Sequence, residues 1–107
     1  MTTDLTTKHA QTNAANLPDD RAHSLLQKLP GWEIANSELR KTFKFKNYHE
    51  SMAFVNATAF ISHREDHHPD IELGYNKVTM RYSTHSAGGL TENDFICAAK
   101  VEALLTG

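Results

Sequence analysis

Ile71-Glu72-Leu73-Gly74-Tyr75-Asn76-Lys77-Val78-Thr79-Met80-Arg81-Tyr82-Ser83 is the stretch on which the fold turns. Ile71, Leu73 and Tyr75 stand at every second position, and the alternation breaks near Asn76. Val78, Met80 and Tyr82 then resume it against Thr79, Arg81 and Ser83. A period of two sends successive side chains to opposite faces, so each half reads as a strand with one apolar and one solvated face. The same pattern lies upstream. Leu39, Phe43 and Phe45 alternate with Arg40, Thr42, Lys44 and Lys46, and Trp32 and Ile34 alternate with Glu33 and Ala35, with a turn at Asn36-Ser37 between the two runs. The lysines form the solvated face of their strand rather than a phosphate-binding patch.

Three segments carry helical spacing instead. Ala22, Leu25, Leu26 and Leu29 recur after Pro18 and are stopped by Pro30-Gly31. From Tyr48 to about Asp66, Met52, Val55, Ala59 and His63 share one stripe, while Phe54, Ala57 and Ile61 share the opposite one. A helix apolar on two sides needs two partners: the sheet, and either a neighbouring helix or a second subunit. The last helix begins at Thr91, where Thr91-Glu92-Asn93-Asp94 has the form of a capping box, and Phe95, Ile96, Ala99, Ala103 and Leu104 give it an apolar side. The order is α-β-β-α-β-β-α, an α+β fold in which three helices pack on one face of a four-stranded antiparallel sheet. Residues 1–16 hold one large aliphatic after Met1, namely Leu5, and read as a mobile tail; residues 17–107 form one domain.

Composition narrows the function. Thirteen acidic residues against eleven basic ones, a formal net of −2, argue against a nucleic-acid footprint. Cys97 is the lone cysteine, so no intrachain disulfide forms, and its apolar neighbours suggest a buried structural thiol. No apolar run approaches the roughly 20 residues of a membrane span. The N-terminus lacks the charged-then-apolar pattern of a secretory signal, so a reducing, cytoplasmic setting is expected.

Seven histidines are many for 107 residues, and three of them bear on chemistry. His67 and His68 precede Pro69, which disfavours helical geometry in the residue before it, so the pair sits where the long helix must end. Adjacent rings on an ending helix diverge and can approach one ligand from two sides. His85 has the strand parity of Arg81 and Ser83, the polar face, and belongs at a rim. Imidazole can both give and take a proton near neutrality. On composition alone, the simpler reading is that the pair terminates a helix and His85 is a surface residue. A metal site is a second reading, because His63 and His67 are four apart and His85 could complete three ligands. Position 64 is Arg, however, so there is no H-E-x-x-H, and no metal is expected. Asp94 can bond back to the backbone at Thr91 and at the same time orient an imidazole. No serine lies in a nucleophile elbow, and Gly88-Gly89 serves as a turn.

His67-His68-Pro69-Asp70, Tyr75-Asn76-Lys77-Val78, Ser83-Thr84-His85 and Gly88-Gly89-Leu90-Thr91 with Asp94, together with Gly31-Trp32 and Phe43-Lys44-Phe45, resemble the pterin-4a-carbinolamine dehydratase (4a-hydroxytetrahydrobiopterin dehydratase) family over roughly residues 17 to 105. The resemblance implies helices stacked on a four-stranded antiparallel sheet. It implies dehydration of a 4a-hydroxytetrahydropterin to the quinonoid dihydropterin, in tetrahydrobiopterin recycling, without metal or organic cofactor. It places catalysis on His67, His68 and His85 with Asp94 as the supporting carboxylate, and substrate contacts at His63, Asp66, Pro69, Ser83 and Thr84. Two positions depart from the family pattern: His63 stands where glutamate is frequent, and Asn93 where arginine is. The expected partners are a pterin substrate and further copies of the chain, as a homodimer or homotetramer, with no nucleic acid and no membrane. The alternative is a non-catalytic dimerisation or regulatory module of the same fold, for which the Phe54, Ala57, Ile61 face would offer the contact.

Overall fold

In the computed structural model, which describes residues 3–106, the elements are α1 (Thr3–Thr6), α2 (Asp19–Leu26), β1 (Glu33–Ala35), β2 (Glu38–Lys44), α3 (Tyr48–Glu65), β3 (Asp70–Leu73), β4 (Lys77–Tyr82) and α4 (Glu92–Thr106), with a one-turn 3-10 helix at His85–Ala87. All strand pairs are antiparallel, in the order β1-β2-β4-β3. The α+β architecture and the α-β-β-α-β-β-α order are as read from the alternation, with α1 added at the front.

Strand parity decides which side is buried. Leu39, Phe43, Val78, Met80 and Tyr82 join Phe54 and Ile61 of α3 and Phe95, Ile96 and Ala99 of α4 in one cluster. Arg40, Thr42, Thr79 and Arg81 occupy the other face of the sheet, and the Thr42 and Thr79 hydroxyls meet there at 2.8 Å. At the β1–β2 turn both Asn36 and Ser37 have positive φ, 54° and 61°, the pairing that a tight hairpin on right-twisted strands demands.

The two ends of α3 are fixed by different devices. Asn47 caps its start by accepting from the Glu50 N–H at 3.0 Å. Its finish comes at left-handed Asp66 (φ 51°), three residues before Pro69, with the His67 N–H closing onto the Ser62 carbonyl at 3.1 Å. The left-handed residue thus stops the helix, and Pro69 only forbids its resumption.

Three expectations are corrected. Phe54 and Ile61 do not form an outward face; they lie in the protein's own core, Phe54 stacking near Phe43 and Phe45 at 4.7 and 5.0 Å. The large apolar residues that α3 leaves open are Tyr48 at its start and Phe60, the latter 65% exposed. His85 is not on a strand, because β4 ends at Tyr82 and a Thr84–Gly89 bridge closes the following residues into a turn. Residues 3–16, expected as a tail, lie along the domain. Leu5 is 1% exposed within the core cluster, and backbone groups of Ala10 and Gln11 bond to Glu65 and Asn93. One aliphatic proves sufficient because the polar backbone around it finds partners. Residues 1 and 2 lie outside the described residues.

Candidate active site

The β3–β4 register brings two corners of the chain together. Asp70 pairs with Arg81, so the His67-His68-Pro69 corner and the Ser83-Thr84-His85 turn lie at the same end of the sheet. The first turn of α4 closes over that end and delivers Asp94.

Asp94 is fully buried and accepts three hydrogen bonds. Oδ1 receives the His67 Nε2 at 2.6 Å; Oδ2 receives the Thr84 hydroxyl and the Thr91 N–H, each at 2.9 Å. A buried carboxylate is tolerated when its lone pairs are matched in this way. The donor directions follow from proton counting. Thr84 has one hydroxyl proton and gives it to the carboxylate, so the Thr91 hydroxyl, 2.9 Å away, must donate to Thr84. The result is a polarised chain from Thr91 through Thr84 to Asp94 and on to His67. Because Nε2 faces an acceptor-only carboxylate, neutral His67 carries its proton there. Nδ1, which has no hydrogen-bond partner among the described residues, is then the atom that can exchange a proton with a ligand. The ring lies nearly parallel to Tyr82, 10° between planes and 6.0 Å between centroids.

Thr84 also borders a groove of about 260 Å³, lined with Ser83, His85, Gly88 and Gly89 on one side and Asn36, Ser37 and Glu38 on the other. That volume is near the lower end for small-molecule sites, roughly 300–1,000 Å³. His85 is exposed at its rim, carried there by the 3-10 turn that follows β4 rather than by strand parity. His68 is exposed beside His67, Ser83 is half-buried in the groove wall, and Pro69 is buried. His63 and Asp66 are both exposed at the end of α3. Thr84 lines the groove and donates its hydroxyl proton to Asp94. Among the described residues no three His, Cys, Asp or Glu side chains gather in a metal-binding group.

Two contributors escape the sequence reading. Thr91 has the pattern of a helix cap, yet its hydroxyl turns to Thr84 while the Asp94 carboxylate takes the Thr91 N–H. Tyr82 has the pattern of a core residue, which it is, but its buried hydroxyl has no hydrogen-bond partner among the described residues and is pushed above the usual tyrosine range by burial, Cys97 and Asp94. Beneath the site, burial pushes the Cys97 thiol up to about 12, with Glu65 and Asp94 adding to it; that is the inert thiol its neighbours suggested. Glu65, whose burial alone would raise its carboxyl, is held below the ordinary glutamate value by the Ala10 N–H, the His9 ring and Lys100.

Residues 15–104 match the family model described as pterin 4 alpha carbinolamine dehydratase. A protein of Chromobacterium violaceum, provisionally named a pterin-4-alpha-carbinolamine dehydratase, is 58% identical over 99 residues, covering 92% of this chain and 89% of its own. One from Nitrosospira multiformis with the same provisional name is 52% identical over 104 residues, covering 94% and 92%. Among solved structures, a transcriptional coactivator/pterin dehydratase of Brucella melitensis superposes with a TM-score of 0.80 at 31% identity, covering 83% of this chain and 97% of its own. A pterin dehydratase-like protein identified as a RuBisCO assembly factor in the alpha-carboxysome gives 0.59 at 30%, covering 69% and 88%.

Proposed function

The chain belongs to the pterin-4a-carbinolamine dehydratase family, a family of hydro-lyases, and from that premise we propose that it dehydrates a 4a-hydroxytetrahydropterin to the quinonoid dihydropterin by histidine acid–base catalysis, in tetrahydrobiopterin recycling. The C4a–O bond breaks as the hydroxyl takes a proton and leaves as water. The C4a=N5 bond forms as N5 gives up its proton. One imidazolium and one neutral imidazole serve both transfers near pH 7, each contributing on the order of 10²–10⁴-fold. His67, acting through Nδ1, and His85 move the proton at the hydroxyl. His68 holds the pterin or takes the N5 proton, and Asp94 orients the His67 ring through its bond to Nε2. Ser83, His63 and Asp66 border the substrate.

The observation that carries this reading is the shared carboxylate. Asp94 holds His67 at 2.6 Å and Thr84 at 2.9 Å, so one buried anion ties the histidine corner to the turn that presents His85. Stopped-flow measurement of 4a-hydroxypterin breakdown tests it. His67→Ala and His85→Ala should each slow turnover by roughly 10²-fold or more while the fold persists. Unchanged turnover in either removes that residue from the mechanism.

A second reading is a binding module of the same fold, supported by the coactivator and assembly-factor roles ascribed to the two solved relatives. Exposed Tyr48, Phe60, Leu104 and Leu105 on the helices, Ile71 and Leu73 on the edge strand β3, and Tyr75 in the turn after it are large apolar residues available for contact. They equally support self-association as a homodimer or homotetramer, which light scattering would measure. Among the described residues no helix is long and apolar enough to cross a membrane. The lone buried thiol suits a reducing cytoplasm.

A further inference from the structure

Two consecutive backbone N–H groups near the N-terminus bind two different helices. The Ala10 N–H donates to Glu65 Oε1 at 2.8 Å, at the end of α3, and the Gln11 N–H donates to Asn93 Oδ1 at 2.9 Å, in the first turn of α4. Asn93 Nδ2 returns a bond to the Gln11 carbonyl at 2.8 Å, so its amide grips the backbone at both ends. Glu65 is gripped as firmly, by His9 Nδ1 at 3.1 Å and by Lys100 Nζ at 3.4 Å, and the same ammonium donates to the Thr6 carbonyl at 3.1 Å. Leu5 anchors the segment in the core. All of these contacts from the N-terminal side precede residue 15, where the family match begins.

Their placement is specific. Asn93 is the residue before Asp94, and Glu65 lies two before His67. Adjacent residues of an extended chain advance by only about 3.3 Å, so the strap fixes the offset between the two backbone segments that carry the imidazole and its carboxylate. It also gives Asn93, a departure from the family pattern, a partner of its own. We propose that the Leu5–Gln11 segment is a positioning strap: by pairing with Asn93 and Glu65 it sets the α3–α4 spacing that keeps His67 on Asp94, with Asn93 as the positioning residue. Supporting groups of this kind matter because reacting groups tolerate displacements of only a fraction of an ångström.

The kinetic part of the test rests on the dehydratase reading; the spectroscopic part does not. The variants are Asn93→Ala, which removes the amide, and Gln11→Pro, which removes one N–H at an exposed position, both in the full chain. Leu25→Ala, a core truncation on α2 at a residue that makes none of the strap's hydrogen bonds, controls for lost stability. Below every unfolding transition, Asn93→Ala and Gln11→Pro should lower kcat about tenfold with KM within about threefold, less than the roughly 10²-fold that an ångström of misplacement costs. In both, the downfield proton resonance of the short His67–Asp94 hydrogen bond should broaden or vanish. Leu25→Ala should keep that resonance and hold kcat within about twofold. The strap is refuted if the resonance survives in both strap variants, or if Leu25→Ala loses it to the same extent. If the unaltered protein leaves 4a-hydroxypterin untouched, the dehydratase reading falls, and the resonance alone decides the strap.

Discussion

Thr84 governs how tightly Asp94 is held, because its one hydroxyl both donates to the carboxylate and accepts from Thr91. Thr84→Val keeps the shape and removes both bonds, leaving the Thr91 hydroxyl without its acceptor. Urea denaturation should register a loss of about 1–3 kcal/mol, whereas Thr84→Ser, which retains the hydroxyl, should lose under about 1 kcal/mol. Tyr82 presents the opposite case. Its hydroxyl is buried without a hydrogen-bond partner among the described residues, so Tyr82→Phe should leave stability unchanged or raise it by up to about 1 kcal/mol in the same titration. At this scale the sequence discloses side-chain chemistry but not hydrogen-bond direction. Imidazoles and a carboxylate announce themselves by type, and Asp94 does bond back to Thr91 as its helix position implies. Thr91 escapes because a threonine before a helix reads as a cap, and nothing local indicates that Thr84, across a turn, will claim its hydroxyl.

Strands are readable where one face is buried and the other wet, and less so elsewhere. Leu39, Phe43, Val78, Met80 and Tyr82 keep a strict two-residue period because each must point at the helices. The α3 helix misleads on one side: Phe54, Thr58 and Ile61 share the buried stripe with Ser51 and Glu65, so polar residues fill what an apolar count leaves blank. The N-terminal segment misleads for the same reason, since its anchoring is backbone to side chain and carries no apolar pattern. Turn chemistry is visible at Asn36-Ser37, though not its strain. Ser37 holds a left-handed backbone at φ 61° that costs a residue with a β-carbon roughly 1–2 kcal/mol. Ser37→Gly relieves that strain, partly offset by the added freedom of the unfolded chain. A net gain of roughly 0.5–1 kcal/mol should appear as a higher thermal midpoint.

Across the whole molecule, two buried acids of opposite shift bound the pH range of stability. Glu65 is depressed in the folded state, so the unfolded chain takes up its proton first as pH falls. Its contribution is full above the ordinary value of 4.5 and fades as pH drops below that through the folded value. Glu65→Gln should therefore be less stable than the unaltered protein at pH 7, with the gap closing as the solution is acidified below about 4.5. Cys97 works at the other limit. Its thiol ordinarily ionises near 9.0 and is pushed up to about 12 by burial, so above pH 9 the unfolded chain releases a proton that the folded chain keeps. Stability must then decline with rising pH, and Tyr82, also raised, steepens the decline. Cys97→Ala costs packing at every pH but removes one of these two protons from the balance. The slope of unfolding free energy between pH 9 and pH 12 should be shallower in Cys97→Ala than in the unaltered protein, measured by urea titration at several pH values. Equal slopes would mean that the thiol ionises as readily in the core as in water, which a side chain with no exposed surface beside the Asp94 carboxylate does not permit.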